Sequence, residues 1–186
     1  MRQPEPKQFL NWPNLISVFR IFLAAPALYG LVYQLPIITC VAFIAIVLSD
    51  ILDGAVARRL GEPNAYGTLI AHGSDAFVVV ILCAYFSYKG LCTWLLPTLI
   101  AIAFLHYALD SRRAGINAGP RPSALGRVNG ISYFVFAAAC IASYHGGEYI
   151  SADMGKLITG ALSAFAWLLV ATTCLSIWQR RRLSIP

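Results

Sequence analysis

Three aspartates, Asp50, Asp53 and Asp75, sit inside stretches that are otherwise apolar. Ionisable groups in apolar helices are costly and normally face a bundle interior or a watery cavity. Exposure at a helix end would account for Asp53 alone, but the spacing of the three is organised. Asp50, Asp53 and Ala57 recur at i, i+3 and i+7, on one helix face, and Gly67, Ala71 and Asp75 at i, i+4 and i+8, on another. The polar break Glu62-Pro63-Asn64 lies between them, so the two stretches read as an antiparallel hairpin. Asp50 is eight residues before Arg58 and Asp75 eight after Gly67. At roughly 1.5 Å per residue both lie about 12 Å into the bundle, with residue 71 opposite Asp53. Gly54 and Gly67 leave room at the same level for a backbone or ligand. Carboxylates crowded in a low-dielectric cavity repel one another, and Arg58 is only one cation. A hard divalent ion with oxygen ligands is the natural partner, and Mg²⁺ favours carboxylates combined with substrate phosphates. The pattern points to a metal-assisted site for a phosphorylated ligand.

The elements that must position these acids are membrane helices. Of 186 residues, 59% are hydrophobic and 12% charged, and mean hydropathy is +0.69. That excludes a disordered chain, a disulfide-framed secreted module and an ordinary cytosolic enzyme. Six apolar stretches span about 14–33, 36–57, 67–88, 93–109, 126–144 and 154–178, and none shows strand alternation. The expected fold is all-α: six transmembrane helices around a polar cavity facing the cytosol. Residues 1–186 read as one membrane domain, with a polar interfacial segment over 1–13 and a basic tail over 179–186. Ala25-Pro26-Ala27 mimics a signal-peptide cleavage site, but Arg20 interrupts the apolar run before it and argues against cleavage.

The net charge is +6. Arg2, Lys7, Arg58, Arg59, Arg112, Arg113, Arg121, Arg127 and Arg180–Arg182 fall on one side of the expected bundle, against Lys89 and Lys156 on the other. The basic side is expected to be cytosolic, with both termini and the acidic site there. The basic residues form no aromatic-interleaved surface, so nucleic acid is not an expected partner. Five cysteines without a C-x-x-C pair read as small buried hydrophobes.

Other polar residues carry weaker signals. Arg112, Arg113, Arg121 and Arg127 surround the fourth loop, where the bland explanation is orientation bias plus attraction to anionic lipid. The functional one is a pocket for a phosphate on an acceptor, with Arg121 and Arg127 flanking a Pro-Ser-x-x-Gly helix entrance that contains Ser123. Asp110 reads as a salt-bridge partner of Arg113. Asn14, Ser17 and Arg20 share an arc of about 120° and could line the same cavity, although Arg20 could equally snorkel to the interface. Arg180–Arg182 read as an interface anchor, and Trp12, Trp94 and Trp178 as aromatic belts. His106 and His145 have no partner spacing.

The stretch Asp50-Ile-Leu-Asp53-Gly54-Ala-Val-Ala57-Arg58, followed by Gly67 and Asp75, resembles the signature of CDP-alcohol phosphotransferases, D-x2-D-G-x2-A-R-x8-G-x3-D-x3-D. Every fixed position but one is present at the right spacing. Asn11-Trp-Pro13-Asn14-Leu-Ile-Ser17-Val-Phe-Arg20 is similar to the start of phosphatidylglycerophosphate synthases. Arg121-Pro-Ser123-Ala-Leu-Gly126-Arg127-Val-Asn129 resembles the fifth-helix entrance of those enzymes and of cardiolipin synthases. The resemblance implies a six-helix fold, a homodimer in the bacterial cytoplasmic membrane, and phosphatidyl transfer from CDP-diacylglycerol to an alcohol with release of CMP. It implies Mg²⁺ or Mn²⁺ held by Asp50, Asp53 and Asp75, with Asp75 also as base. Asn14, Ser17, Gly54, Ala57, Arg58 and Gly67 would surround the CDP-lipid, and Arg112, Arg113, Arg121, Ser123 and Arg127 the acceptor phosphate. Glycerol 3-phosphate is the first expected acceptor, and phosphatidylglycerol, giving cardiolipin, the second.

The unmatched position is the third aspartate of the signature, which here is Ala71. Its loss removes a metal ligand, so activity of the chain as written is expected to be weak. A non-catalytic CDP-lipid binder therefore stands beside the enzyme. An ion or proton transporter fits less well, since no repeated halves occur and the acids concentrate in one hairpin.

Overall fold

Prolines and glycines divide the chain into long helices. The computed structural model describes residues 12–59, 65–113 and 124–183, with side chains over 15–55, 67–111 and 124–180. These hold α1 (Trp12–Val32), α2 (Pro36–Arg59), α3 (Ala65–Tyr88), α4 (Leu95–Arg113), α5 (Ala124–Gly146) and α6 (Ala152–Leu183), plus one 3-10 turn at Gly147–Tyr149. The described residues contain no strand.

Local chemistry sets the turns. Pro36 opens α2 at the first helical position, where its missing N–H costs nothing. Gly30 lets α1 and α2 meet closely: a Cβ there would lie 2.5 Å from Thr39 Oγ1 and 2.7 Å from the Thr39 nitrogen. α3 stops at Gly90, whose φ of 76° suits glycine. The Leu91 N–H returns to the Phe86 carbonyl at 2.9 Å, closing the helix end.

Contacts at both ends show that the helices run alternately up and down. At one end Tyr85 Oη donates to the Leu31 carbonyl at 2.9 Å and accepts from Tyr144 Oη at 2.8 Å. His145 Nε2 lies 3.0 Å from Thr39 Oγ1 at the same end. At the other end α1 meets the acidic parts of α2 and α3. A core that includes Leu31, Ile46, Val78, Leu82, Phe86 and Phe136 fills the space between. α1 packs along both α2 and α3, whereas α2 and α3 touch each other sparingly. The expected α2–α3 hairpin is thus corrected: a third helix lies between its arms. α4, α5 and α6 complete the bundle against α3 and one another.

The solvent preference of this bundle is inverted relative to a water-soluble domain. Phe22, Ile37 and Leu157 are 68%, 78% and 67% exposed, whereas Arg20 is fully buried. Among the described residues, five helical segments are long and apolar enough to cross a membrane: Leu15–Val32, Pro36–Ala55, Gly67–Tyr88, Ala124–Tyr149 and Ala152–Arg180. The apolar part of α4, Leu95–Ser111, is shorter. The protein is an integral membrane protein, and the expected fourth span, 93–109, falls on this shorter helix. Cys83 and Cys140 are buried as expected, but Cys40 and Cys174 lie on the outer apolar face. Small apolar residues are equally at home there.

Candidate active site

The site is organised by Arg20. Because α1 runs between α2 and α3, a side chain on its inner face reaches both. Arg20 Nε donates to Ser49 Oγ at 3.1 Å and Nη1 to Ser74 Oγ at 3.3 Å. Each serine hydroxyl donates in turn to a carbonyl of its own helix, Ile46 at 2.7 Å and Ala71 at 2.8 Å. That leaves the serine lone pairs for the guanidinium. Arg20 also pairs with Asp50 at 3.2 Å, with Asp53 at 3.6 Å, and with Asp75 through a direct hydrogen bond. The sequence offered it as an interfacial or cavity-lining residue. Its complete burial rules out a snorkelling role.

The three carboxylates converge on this cation but do not share one environment. Asp53 is buried and accepts a hydrogen bond from Ser17. Asp50 is half-exposed, Asp75 is one-fifth exposed, and both line a cavity of about 390 Å³. Its other walls come from α3, α4, α5 and α6. Tyr107 Oη is buried in those walls without a hydrogen-bond partner among the described residues, and Asn129 is buried beside Tyr133. Buried polar atoms of this kind mark where a ligand or water completes the bonding. His72 stands edge-on to the Tyr107 ring, with centroids 5.5 Å apart, and the Arg180 guanidinium lies 4.9 Å from the centre of that ring. Tyr133 Oη and Thr173 Oγ1 meet at 2.5 Å on the same cavity.

The residues singled out in the sequence distribute as follows. Asp50 and Asp75 face the cavity together, and Arg127 lines it while exposed on the first turn of α5. Ser17, expected beside a CDP-lipid, is instead buried against Asp53. Asp53, expected as an open metal ligand, is turned to Ser17 and Arg20 and does not line the cavity. Gly54 and Gly67 are half-buried at the facing ends of α2 and α3, as is Ala71 one turn before Asp75. The side chains of Asn14, Ala57, Arg58, Arg112 and Arg113 lie outside the described residues, so the Asp110 pairing with Arg113 does too. Arg121 and Ser123 are wholly outside them. Arg180, read as a lipid-interface anchor, lines the cavity with its guanidinium on Tyr107. Sequence reasoning missed Tyr107 and Tyr133 altogether, and quoted Asn129 only as the end of the fifth-helix entrance, with no role.

No three His, Cys, Asp or Glu side chains among the described residues form a group able to hold a metal ion. Among the described residues, Asp50 and Asp75 alone present carboxylate oxygens to the cavity, and residue 71 offers only a methyl group. A cation bound by one or two carboxylates together with ligand phosphates fits this donor set, whereas an all-protein cage does not.

An apolar-coated helical bundle with buried carboxylates beside an internal cavity defines a membrane protein that handles a polar or charged ligand at its core. The family model for CDP-alcohol phosphatidyltransferases matches residues 10–181, and the chain belongs to that family. The CDP-diacylglycerol–glycerol-3-phosphate 3-phosphatidyltransferase of Cereibacter sphaeroides is 30% identical over 117 residues, covering 59% of this chain. The matched part is 52% of that relative, so the match spans about half its length. No solved structure matches the chain. Members of the family generally depend on divalent metal.

Proposed function

We propose that the protein transfers the phosphatidyl group of CDP-diacylglycerol to an alcohol, with glycerol 3-phosphate as acceptor. The observation that carries this is the pair Asp50 and Asp75 on one cavity wall within the family signature, with Arg127 on the same cavity. The acceptor oxygen attacks the phosphorus that bears the diacylglycerol, the bond from that phosphorus to the bridging oxygen breaks, and CMP leaves with that oxygen. Asp75 receives the hydroxyl proton, the role for which a positioned carboxylate is suited. Mg²⁺ or Mn²⁺, held by Asp50 and Asp75, would neutralise diphosphate charge when bound. Arg127 would hold the acceptor phosphate, together with Arg112 and Arg113 at the end of α4 and with Arg121 and Ser123. Tyr107 and Asn129 supply neutral hydrogen bonds deeper in the cavity. The acidic end faces the cytosol, all six helices cross the bilayer, and the protein is a homodimer.

The test is CMP release from CDP-diacylglycerol with Mg²⁺ or Mn²⁺, with glycerol 3-phosphate, phosphatidylglycerol or no acceptor. Slow acceptor-dependent release by the protein, and faster release by Ala71→Asp, is the expected result. Silence from both would overturn the proposal. One observation favours a second reading, a CDP-lipid binder without turnover: Ala71 leaves the site one carboxylate short. Binding without CMP release in Ala71→Asp would support it.

A further inference from the structure

Members of the family generally depend on divalent metal, yet no three His, Cys, Asp or Glu side chains among the described residues form a group able to hold one. Arg20 accounts for both. It is fully buried, contacts all three aspartates, and with Ser17 ties Asp53 down away from the cavity. Only Asp50 and Asp75 remain for a cation in the cavity, and the position one turn before Asp75 is Ala71. Two carboxylates that share a fixed guanidinium are too few donors to strip water from Mg²⁺ or Mn²⁺ unaided. A diphosphate in the same cavity adds oxygens and negative charge. The unpartnered Tyr107 hydroxyl on the opposite wall is an independent sign that this cavity is shaped for a polar ligand.

We propose that metal binding in this protein is conditional on the nucleotide: Arg20 holds the three aspartates, and a divalent cation binds only together with a ligand diphosphate. Arg20 is then a positioning residue, and Ala71 is what makes the site conditional. This rests on the phosphatidyl-transfer reading for the identity of the diphosphate but requires no turnover.

The experiment titrates Mn²⁺ into the full-length protein in detergent, following free Mn²⁺ by electron paramagnetic resonance, with and without saturating CDP. CDP should tighten Mn²⁺ binding at least ~10-fold, and Mn²⁺ should tighten CDP binding by the same factor, because such coupling is reciprocal. Ala71→Asp should bind Mn²⁺ without CDP at least ~10-fold more tightly than the parent and show weaker coupling. Arg20→Gln, checked for a monodisperse elution profile, should do the same by releasing Asp53. If Arg20→Gln does not fold, the Ala71→Asp arm still decides. Equal Mn²⁺ affinity with and without CDP in the parent protein overturns the proposal, as does an Ala71→Asp protein no tighter than the parent. CMP release, measured separately, judges the transferase reading, so the two can fail independently.

Discussion

Replacing Arg20 by glutamine tests the organisation of the site most directly. The substitution keeps a polar side chain near Ser49 and Ser74 but removes the charge shared by Asp50, Asp53 and Asp75. Asp50 is half-exposed, so its share is screened and adds little. Asp53 is different: at 6% side-chain exposure it keeps only Ser17 as a strong partner. Removing one member of a buried pair costs ~3–5 kcal/mol, most of it from the stranded charge. At ~2–4 °C per kcal/mol for a chain of this size, the melting temperature should fall by about 6–20 °C. A thermal scan in detergent at neutral pH and fixed heating rate measures this. Asp53→Asn added to Arg20→Gln removes the stranded charge and should restore at least about half of the loss. Millimolar Mn²⁺ should stabilise Arg20→Gln more than the parent, because a ligand that binds only the folded state raises its stability. A fall of less than about 2 °C, or no recovery in the double variant, would refute the reasoning.

Four further outcomes follow from the same geometry. In an Ala71→Asp background, Asp75→Asn should lower CMP release by ~10²-fold or more, the scale of a lost general base; a loss of only a few-fold would remove Asp75 from that role. Arg127→Ala should raise the KM for glycerol 3-phosphate by roughly 10-fold, the scale of a lost charge-assisted hydrogen bond, and leave that for CDP-diacylglycerol nearly unchanged; equal effects on both would sink the acceptor-phosphate assignment. Tyr107→Phe should leave the melting temperature within about 2 °C while weakening CDP or acceptor binding by roughly 2–10-fold, since the hydroxyl has no partner among the described residues; a large loss of stability would show that it is internally bonded. Gly30→Ala should cost ~1–3 kcal/mol, read as a lower melting temperature, because its Cβ would collide with Thr39, backbone included.

Much of this was legible in the sequence because helix periodicity is local. The apolar runs predict the helices to within a few residues, and the i, i+3 and i+4 spacing puts the acids on inward faces. What periodicity does not encode is which helix lies between which. The spans are apolar nearly all round, so nothing in α2 or α3 announces that α1 separates them. Hence Arg20 read equally as an interfacial or a cavity-lining residue, and Arg180 as part of a terminal anchor, whereas α6 lies against Tyr107 on α4. One local signal was available: the dipeptides Ser49-Asp50 and Ser74-Asp75 repeat the same pair on two helices. Both serines bind Arg20 and both aspartates face the cavity. A repeated Ser-Asp pair in two apolar helices asks for a shared forked cation, and Arg20 is the one arginine within the first apolar stretch.

The distribution of charge explains why a site missing one acid can still suit a diphosphate. Three carboxylates around one guanidinium leave an excess of negative charge, and the excess lies at Asp50 and Asp75, where water reaches it. A lysine in place of Arg20 would carry the same charge, but its compact ammonium lacks the planar fork that bonds Ser49, Ser74 and Asp75 together. With that fork in place Asp53 is held away from the cavity, while the charge of Asp50 and Asp75 is offset only in part. A diphosphate entering beside Asp50 and Asp75 adds to that charge, and Arg20 has no exposed surface with which to answer. Neutralisation must then come from cations that arrive with the diphosphate. On the proposed reading, the aspartate missing at residue 71 changes when the metal binds, and the proton transfer assigned to Asp75 depends on that order.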